Sequence, residues 1–248
     1  MKKHKMLKRI FLALCIFVVG CLAAFGIYLS NYHAGDADAL AAMSSPSEGV
    51  HVVATDETIA FVPENSIKAG IVYYPGMKIR GEAYSVMADS LASDGYLCVL
   101  VNMPLNMSVL NPDVALTIVD EWPEVKDWYI GGHSMGGQVA QKCALNHPGT
   151  FKGVITVARQ LDFDFSDSTI AVLGIYGSND KICTLEEVAE DEVLTNNDCY
   201  TEVILDGGCH GYFGNYGFQR WDGEPTITRE EQMQATVDAI LEFLNAGH

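Results

Sequence analysis

Apolar residues fall in blocks along this chain, and the length of each block predicts its element. The first block, IFLALCIFVVGCLAAFGIYLS at residues 10–30, has no charged residue. At 1.5 Å rise per residue it is long enough to cross a hydrocarbon layer of about 30 Å. Shorter apolar runs follow. VHVVAT and TIAFVP read as an antiparallel pair of strands, and KAGIVYYPG, YLCVLVNMP, DWYIGG, GVITVA, IAVLGIYG and YTEVILDGG as further strands. Several of these are apolar without alternation, as strands covered on both faces are.

Between the strands the period changes to that of a helix. EAYSVMADSLASDG places Tyr84, Met87 and Leu91 on one face and stops at Gly95. NPDVALTIVDEW, MGGQVAQKCALNHPG, the acidic TLEEVAEDEVL and the closing TREEQMQATVDAILEFLNAG are further helical patterns. Strand–helix alternation of this kind predicts an α/β fold, a mainly parallel, doubly wound sheet flanked by helices. The expected division is a cytoplasmic basic segment (1–9), a transmembrane signal-anchor (10–30), a small, polar linker (31–48) and one domain (49–248). No internal repeat is visible.

Charge orients this arrangement. All five basic residues of MKKHKMLKR precede the span and no acid does, so the positive-inside rule puts the N-terminus in the cytoplasm and the domain outside. A cleavable signal has a shorter apolar region, about 7–15 residues, so the length favours an uncleaved anchor; cleavage among the small residues after Ala34 is the alternative. VVGC at 18–21 also matches a lipoprotein box with Cys21 as the lipidated residue, but cleavage there leaves nine apolar residues at the new N-terminus. The exported part carries ten of the 15 Lys+Arg and all 32 Asp+Glu, a formal charge of −22. Such a surface repels polyphosphates, and no basic patch with interleaved aromatics occurs, which argues against nucleic-acid binding. No GxGxxG opens the first βα turn and no GxxxxGK[ST] occurs, so dinucleotide and P-loop functions lack their phosphate cradles.

The cysteines show no metal-ligand spacing. Cys15 and Cys21 lie in the span; Cys98 sits in an apolar strand and Cys143 on a buried helix face, as core residues do. Cys183 and Cys199 are the pair expected to close a loop in an oxidising compartment, worth about 3 kcal/mol in the chain-entropy view.

The candidate chemistry centres on IGGHSMGG at 130–137. A G-x-S-x-G match decides little alone, but here it joins a strand to a helix, the context of a nucleophile elbow. Gly132 and Gly136 flank Ser134 where a Cβ would collide, and the helix beginning at Met135 aims its first amides at the serine. The bland alternative is a glycine-rich turn without chemistry. A serine hydroxyl needs a base and an orienting acid. Asp180 lies beyond IAVLGIYG and His210 beyond YTEVILDGG, at strand ends where such sheets place functional groups. Asp162, Asp164 and Asp167 are the runner-up acids, while Asp206 is expected to shape its turn. His133 has no required role, and His147 suits a helix C-terminus. An oxyanion hole would take the amides of Met135 and of Met77, in the turn after the first parallel strand. Tyr212, Phe213, Tyr216, Phe218 and Trp221 either line the pocket or pack the loop.

At these residues the chain resembles the α/β-hydrolase superfamily, within it a small uncapped bacterial group. The resemblance covers residues 50–246 and rests on YPGMKIRGEAY, LASDGYLCVLVNMPLNMSVL, IGGHSMGG, YGSNDKI and GGCHGYFGNYGFQRWDGEPTITREEQ. It implies the α/β-hydrolase fold with Ser134 as nucleophile, Asp180 as acid and His210 as base. Arg220-Trp221 departs from the smaller pair expected there. The short connection between GVITVA and IAVLGIYG, the usual point for a cap, implies no sizeable cap domain. The implied activity is ester or amide hydrolysis through an acyl-enzyme, with no cofactor or metal and a small-molecule or envelope ester as substrate. The alternatives are a cell-envelope acyltransferase with the same triad and a non-catalytic binding protein on the same fold.

Overall fold

The apolar runs become strands, and their order sets where a site can form. The computed structural model describes residues 2–189, 191–195 and 199–247; Glu190 of the expected acidic helix, and His248, lie outside them. The chain divides into two units at residues 32 and 33. The first contains α1 (Lys2–Ser30), whose stretch His4–Ser30 holds an 18-residue window with a mean hydropathy of 2.8 and is long and apolar enough to cross a membrane.

The second unit runs α2 (Ala37–Ser44), β1 (Val50–Ala54), β2 (Thr58–Pro63), β3 (Ala69–Tyr74), α3 (Ser85–Ser93), β4 (Tyr96–Val101), α4 (Val114–Glu121), β5 (Trp128–His133), α5 (Met135–Asn146), β6 (Gly153–Val157), β7 (Ala171–Gly177), α6 (Leu185–Val188), β8 (Tyr200–Leu205) and α7 (Arg229–Ala246). The described strands form one sheet in the order β1-β2-β4-β3-β5-β6-β7-β8. β1 and β2 pair antiparallel, as do β2 and β4; the other pairs are parallel. This is the doubly wound α/β sheet that the alternation predicts.

Both faces are covered, which is why β3, β4 and β5 are buried along their whole length. Ile71 and Tyr73 of β3 pack with Met87 and Leu91 of α3 and Val237 and Ile240 of α7. Val72 and Tyr74 pack on the opposite face with Ile118 of α4 and Val139 and Ala140 of α5. From β3 the chain moves outward to β4 and returns on the other side of β3 as β5. The loops leaving β3 and β5 therefore diverge, opening a crevice at their carboxyl ends.

Three expectations change. Residues 31–48 are not a free linker throughout. His33 pairs with the turn after β3, its N–H donating to Lys78 O (2.7 Å) and its carbonyl accepting from Arg80 N (3.0 Å). Asp36 caps α2 and pairs with Arg229 of α7 at 2.7 Å. Small residues permit this docking: Ala39 is fully buried, and a Cβ on Gly35 would stand 2.8 Å from Glu82 Cγ. The acidic stretch 184–194 is not one helix. α6 stops at Val188 and a 3-10 turn holds Asp191–Leu194, because buried Asp191 accepts from Tyr176 Oη (2.7 Å) and Leu161 N (2.9 Å). Cys183 and Cys199 are free thiols; Cys183 is buried with its sulfur 3.7 Å from Gln160 Oε1.

Candidate active site

β5 delivers Ser134 to the crevice through a turn that only this glycine pattern permits. Ser134 has φ 53°, ψ −121°, a region that L-residues rarely occupy and that costs on the order of 1–3 kcal/mol. Its N–H donates to Val157 O at 2.9 Å and its carbonyl accepts from Gln138 N at 3.3 Å, so the surrounding chain holds the strain. A Cβ on Gly132 would come within 2.6 Å of Gly136 O, and one on Gly136 within 2.6 Å of Pro75 O. Both glycines are required by backbone crossing backbone.

Asp180 and His210 meet. The Asp180 Oδ2 to His210 Nδ1 distance is 2.7 Å, and both side chains are almost fully buried. Asp180 Oδ1 accepts from the N–H groups of Ile182 (2.7 Å) and Cys183 (2.8 Å), which leaves Oδ2 aimed at the ring. That pairing places the ring proton on Nδ1 and leaves Nε2 as a lone pair. Nε2 is buried and has no hydrogen-bond partner among the described residues. Ser134 Oγ makes no hydrogen bond among them either; such contacts often tighten only when substrate is bound. The runner-up acids are elsewhere engaged. Asp162 is held by the Arg159 guanidinium, and Asp164 and Asp167 are exposed.

The turn after β3 and the start of α5 carry the two amides expected to receive an oxyanion. Met77 N–H makes no hydrogen bond among the described residues, although its neighbours do: Gly76 N–H donates to Tyr84 Oη (3.0 Å) and Lys78 N–H to Asn106 O (2.7 Å). Met135 begins α5, and the first amides of a helix have no internal acceptor.

Sequence reasoning missed the residues that hold the His210 turn. Asp222 accepts from His210 N (3.0 Å), Gly211 N (2.7 Å) and Gly223 N (2.7 Å). Gln232 of α7, fully buried, clasps the preceding residue: its Nε2 donates to Cys209 O (2.7 Å) and its Oε1 accepts from Cys209 N (2.9 Å). Both belong to the GGCHGYFGNYGFQRWDGEPTITREEQ segment, whose fixed spacing was the only available signal. His133 was missed as well. It is fully buried against His210, ring centroids 4.5 Å apart. Burial first, and the neighbouring His210 second, hold its pKa well below the ordinary histidine value.

The loop aromatics divide. Phe213 and Tyr216 are buried core residues, and the Tyr216 hydroxyl donates to Gln219 Oε1 at 2.9 Å, so these two pack the loop. Tyr212 lies under the Arg229 guanidinium at 5.0 Å. Phe218 and Trp221 stand 76% and 74% exposed, with Arg220 stacked on the Trp221 ring at 4.4 Å. A cavity of about 510 Å³ lies away from the Asp180–His210 pair, lined by Val109, Pro112, Asp113, Lys142, Cys143 and Phe163 among others. Beside it Asp113, Cys143 and His147 bring three donor atoms within 4.8 Å of one another. Burial pushes the Cys143 thiol up to about 12, and His147 Nε2 already lies 3.3 Å from Asp113 Oδ1. A metal would have to displace a proton that the site retains.

The family model described as the alpha/beta hydrolase family matches residues 70–234. No curated protein matches the sequence. Solved structures of the same fold include Est1E from Butyrivibrio proteoclasticus, 17% identical with a TM-score of 0.56, the match covering 79% of this chain and 98% of that one. TT1662 from Thermus thermophilus is 14% identical with a TM-score of 0.57, over 79% and 98% of the two chains. A structure of ferulic acid bound to Est1E is 15% identical with a TM-score of 0.58, over 79% and 96%. At these identities the likeness is one of fold.

Proposed function

The chain belongs to the alpha/beta hydrolase family, and from that premise we propose a serine hydrolase of carboxylic esters, working through Ser134, His210 and Asp180. The observation that carries this reading is the buried Asp180–His210 pair at 2.7 Å, whose second ring nitrogen is left without a partner. His210 Nε2 takes the hydroxyl proton as Ser134 Oγ attacks the ester carbonyl. Asp180 keeps the tautomer and steadies the imidazolium that forms. The oxyanion is received by the amides of Met77 and Met135, already oriented before the reaction begins. His210 then gives its proton to the leaving alcohol; the same ring next takes a proton from the attacking water and returns it to Ser134 Oγ as the carboxylic acid departs. The sequence uses no metal and no organic cofactor.

In this reading α1 anchors the enzyme, with the basic N-terminus in the cytoplasm and the acidic domain outside, acting on small-molecule or envelope esters. The supports are a charge-free apolar stretch at residues 10–30 and the placement of five basic residues before it. Purified full-length chain in detergent should hydrolyse a short-chain p-nitrophenyl ester and be labelled at Ser134 by a fluorophosphonate. Ser134→Ala should lose at least about 10³-fold in kcat. Equal turnover by Ser134→Ala, with no label on Ser134, overturns the reading. Recovery of the chain in membranes after carbonate washing, with residues 10–30 still attached, tests the anchor.

A further inference from the structure

His133 is a fully buried histidine that this mechanism does not use, yet its ring lies against both His210 and Tyr84, the residue that binds the Gly76 amide. It precedes Ser134 in the chain. Its Nδ1 is 3.0 Å from Tyr84 Oη, and the same oxygen accepts the Gly76 N–H at 3.0 Å. A Cβ on Gly76 would stand 2.9 Å from His133 Nδ1, so the turn carrying Met77 rests directly on this ring. On its other side lies the His210 ring at a centroid distance of 4.5 Å and a tilt of 51°.

We propose that His133 is a positioning residue: a neutral imidazole that fixes the Gly76–Met77 turn through Tyr84 while backing the ring of His210. The proposal rests on the serine-hydrolase reading above. The tautomer follows from counting hydrogens. Tyr84 Oη accepts from Gly76, so its own proton needs an acceptor, and His133 Nδ1 is the group within reach. Nδ1 must therefore be bare, and the ring proton sits on Nε2, which is buried without a partner among the described residues. The other groups around the ring are Phe213 and Tyr216, at centroid distances of 6.1 and 6.4 Å; neither carries charge. A second proton on His133 would reverse the Tyr84 bond and set a cation against the imidazolium that His210 becomes. Burial keeps it off, as the lowered pKa of the ring reflects.

The test compares full-length His133→Phe, Tyr84→Phe, their double variant and His133→Asn in detergent, with p-nitrophenyl butyrate as substrate. His133→Phe keeps the ring and removes the acceptor, and should lower kcat about 10–100-fold while KM moves less than about twofold. Tyr84→Phe should do the same. The double variant should fall no more than about twofold below the worse single, because the two residues act along one path. His133→Asn, whose carbonyl can stand where Nδ1 stood, should recover most of kcat. A His133→Phe variant within about threefold of wild type, or losses that multiply in the double variant, overturns the proposal. A second readout needs no turnover. In glycine-¹⁵N-labelled full-length chain, His133→Phe should shift the Gly76 amide resonance and speed its exchange with solvent; an unmoved Gly76 overturns the link. If Gly76 moves while Ser134→Ala still equals wild type, the link stands and the hydrolase reading falls.

Discussion

Replacing Gln232 by leucine isolates what α7 contributes to the site. The side chain is fully buried, 22 residues beyond His210 in sequence, and its amide makes both hydrogen bonds to the main chain of Cys209. Leucine nearly matches its volume and removes both bonds, leaving a buried N–H and a buried C=O without partners. Each orphaned group costs about 1–3 kcal/mol; the gain from burying an apolar side chain offsets part of this, so a net loss of about 3 kcal/mol is expected. For a domain of this size that is a melting shift of about 6–12 °C. The second effect is geometric. Cys209 is the residue before His210, and a ring displaced by about 1 Å costs roughly 100-fold in turnover. Gln234→Leu is the matched control, since Gln234 lies on the exposed face of the same helix and its side chain bonds Asp238 and no other side chain among the described residues; surface changes of that kind stay within about 0.5 kcal/mol. Thermal melts by circular dichroism and ester turnover, on full-length chain in detergent, read both effects. If Gln232→Leu melts within about 1 °C of Gln234→Leu and keeps its turnover, α7 does not hold the base and the reasoning fails.

Three further predictions use the same preparations. Ser134→Gly should abolish turnover yet raise stability by about 1–2 kcal/mol, because glycine accepts φ 53° without strain; a melting point below that of Ser134→Ala contradicts the strained elbow. Stability should fall as pH drops below about 6.5, by up to about 1.4 kcal/mol per unit. The sign follows from His133, whose folded pKa is lowered: the unfolded chain takes up a proton there that the folded chain refuses. His133→Phe should flatten that slope by one proton in urea titrations at pH 7.5 and 5.5, and an unchanged slope refutes it. Alkylation of denatured, unreduced protein should modify both Cys183 and Cys199, and a peptide joined through the two residues would contradict the structure.

How much of this was legible in the sequence depends on the range of the interaction. KAGIVYYPG and YLCVLVNMP announce central strands because burial on both faces leaves an unbroken apolar run. The positions of Ser134, Asp180 and His210 beyond their strands follow from the same alternation, since a parallel sheet gathers its strand ends at one edge. The segment 31–48 reads the same whether small residues serve flexibility or close approach, and only the neighbours of Gly35 and Ala39 distinguish the two. The run after His210 is aromatic in either role, and what buries Phe213 while exposing Phe218 is a core assembled from distant strands. Asp191 breaks its helix through Tyr176, a tertiary partner without local trace. Asp222, Gln232 and His133 act through main-chain groups or through another side chain, so no spacing rule for nucleophile, base and acid points to them.

Under the proposed anchoring by α1, the docking of residues 33–47 bears on how the domain would be released from a membrane. A protease cutting near Ser47 would remove the His33 bridge to the turn that carries Met77, the bond from Asp36 to α7 and the buried Ala39 together. What it released would be a domain with an exposed seam beside the turn that carries Met77 and beside the helix that clasps Cys209. A cut before His33 would release the domain with that seam closed. Under that reading, release with the seam closed and release with it open are separated by a stretch of about fifteen residues, and a soluble form prepared for assay has to begin at or before His33.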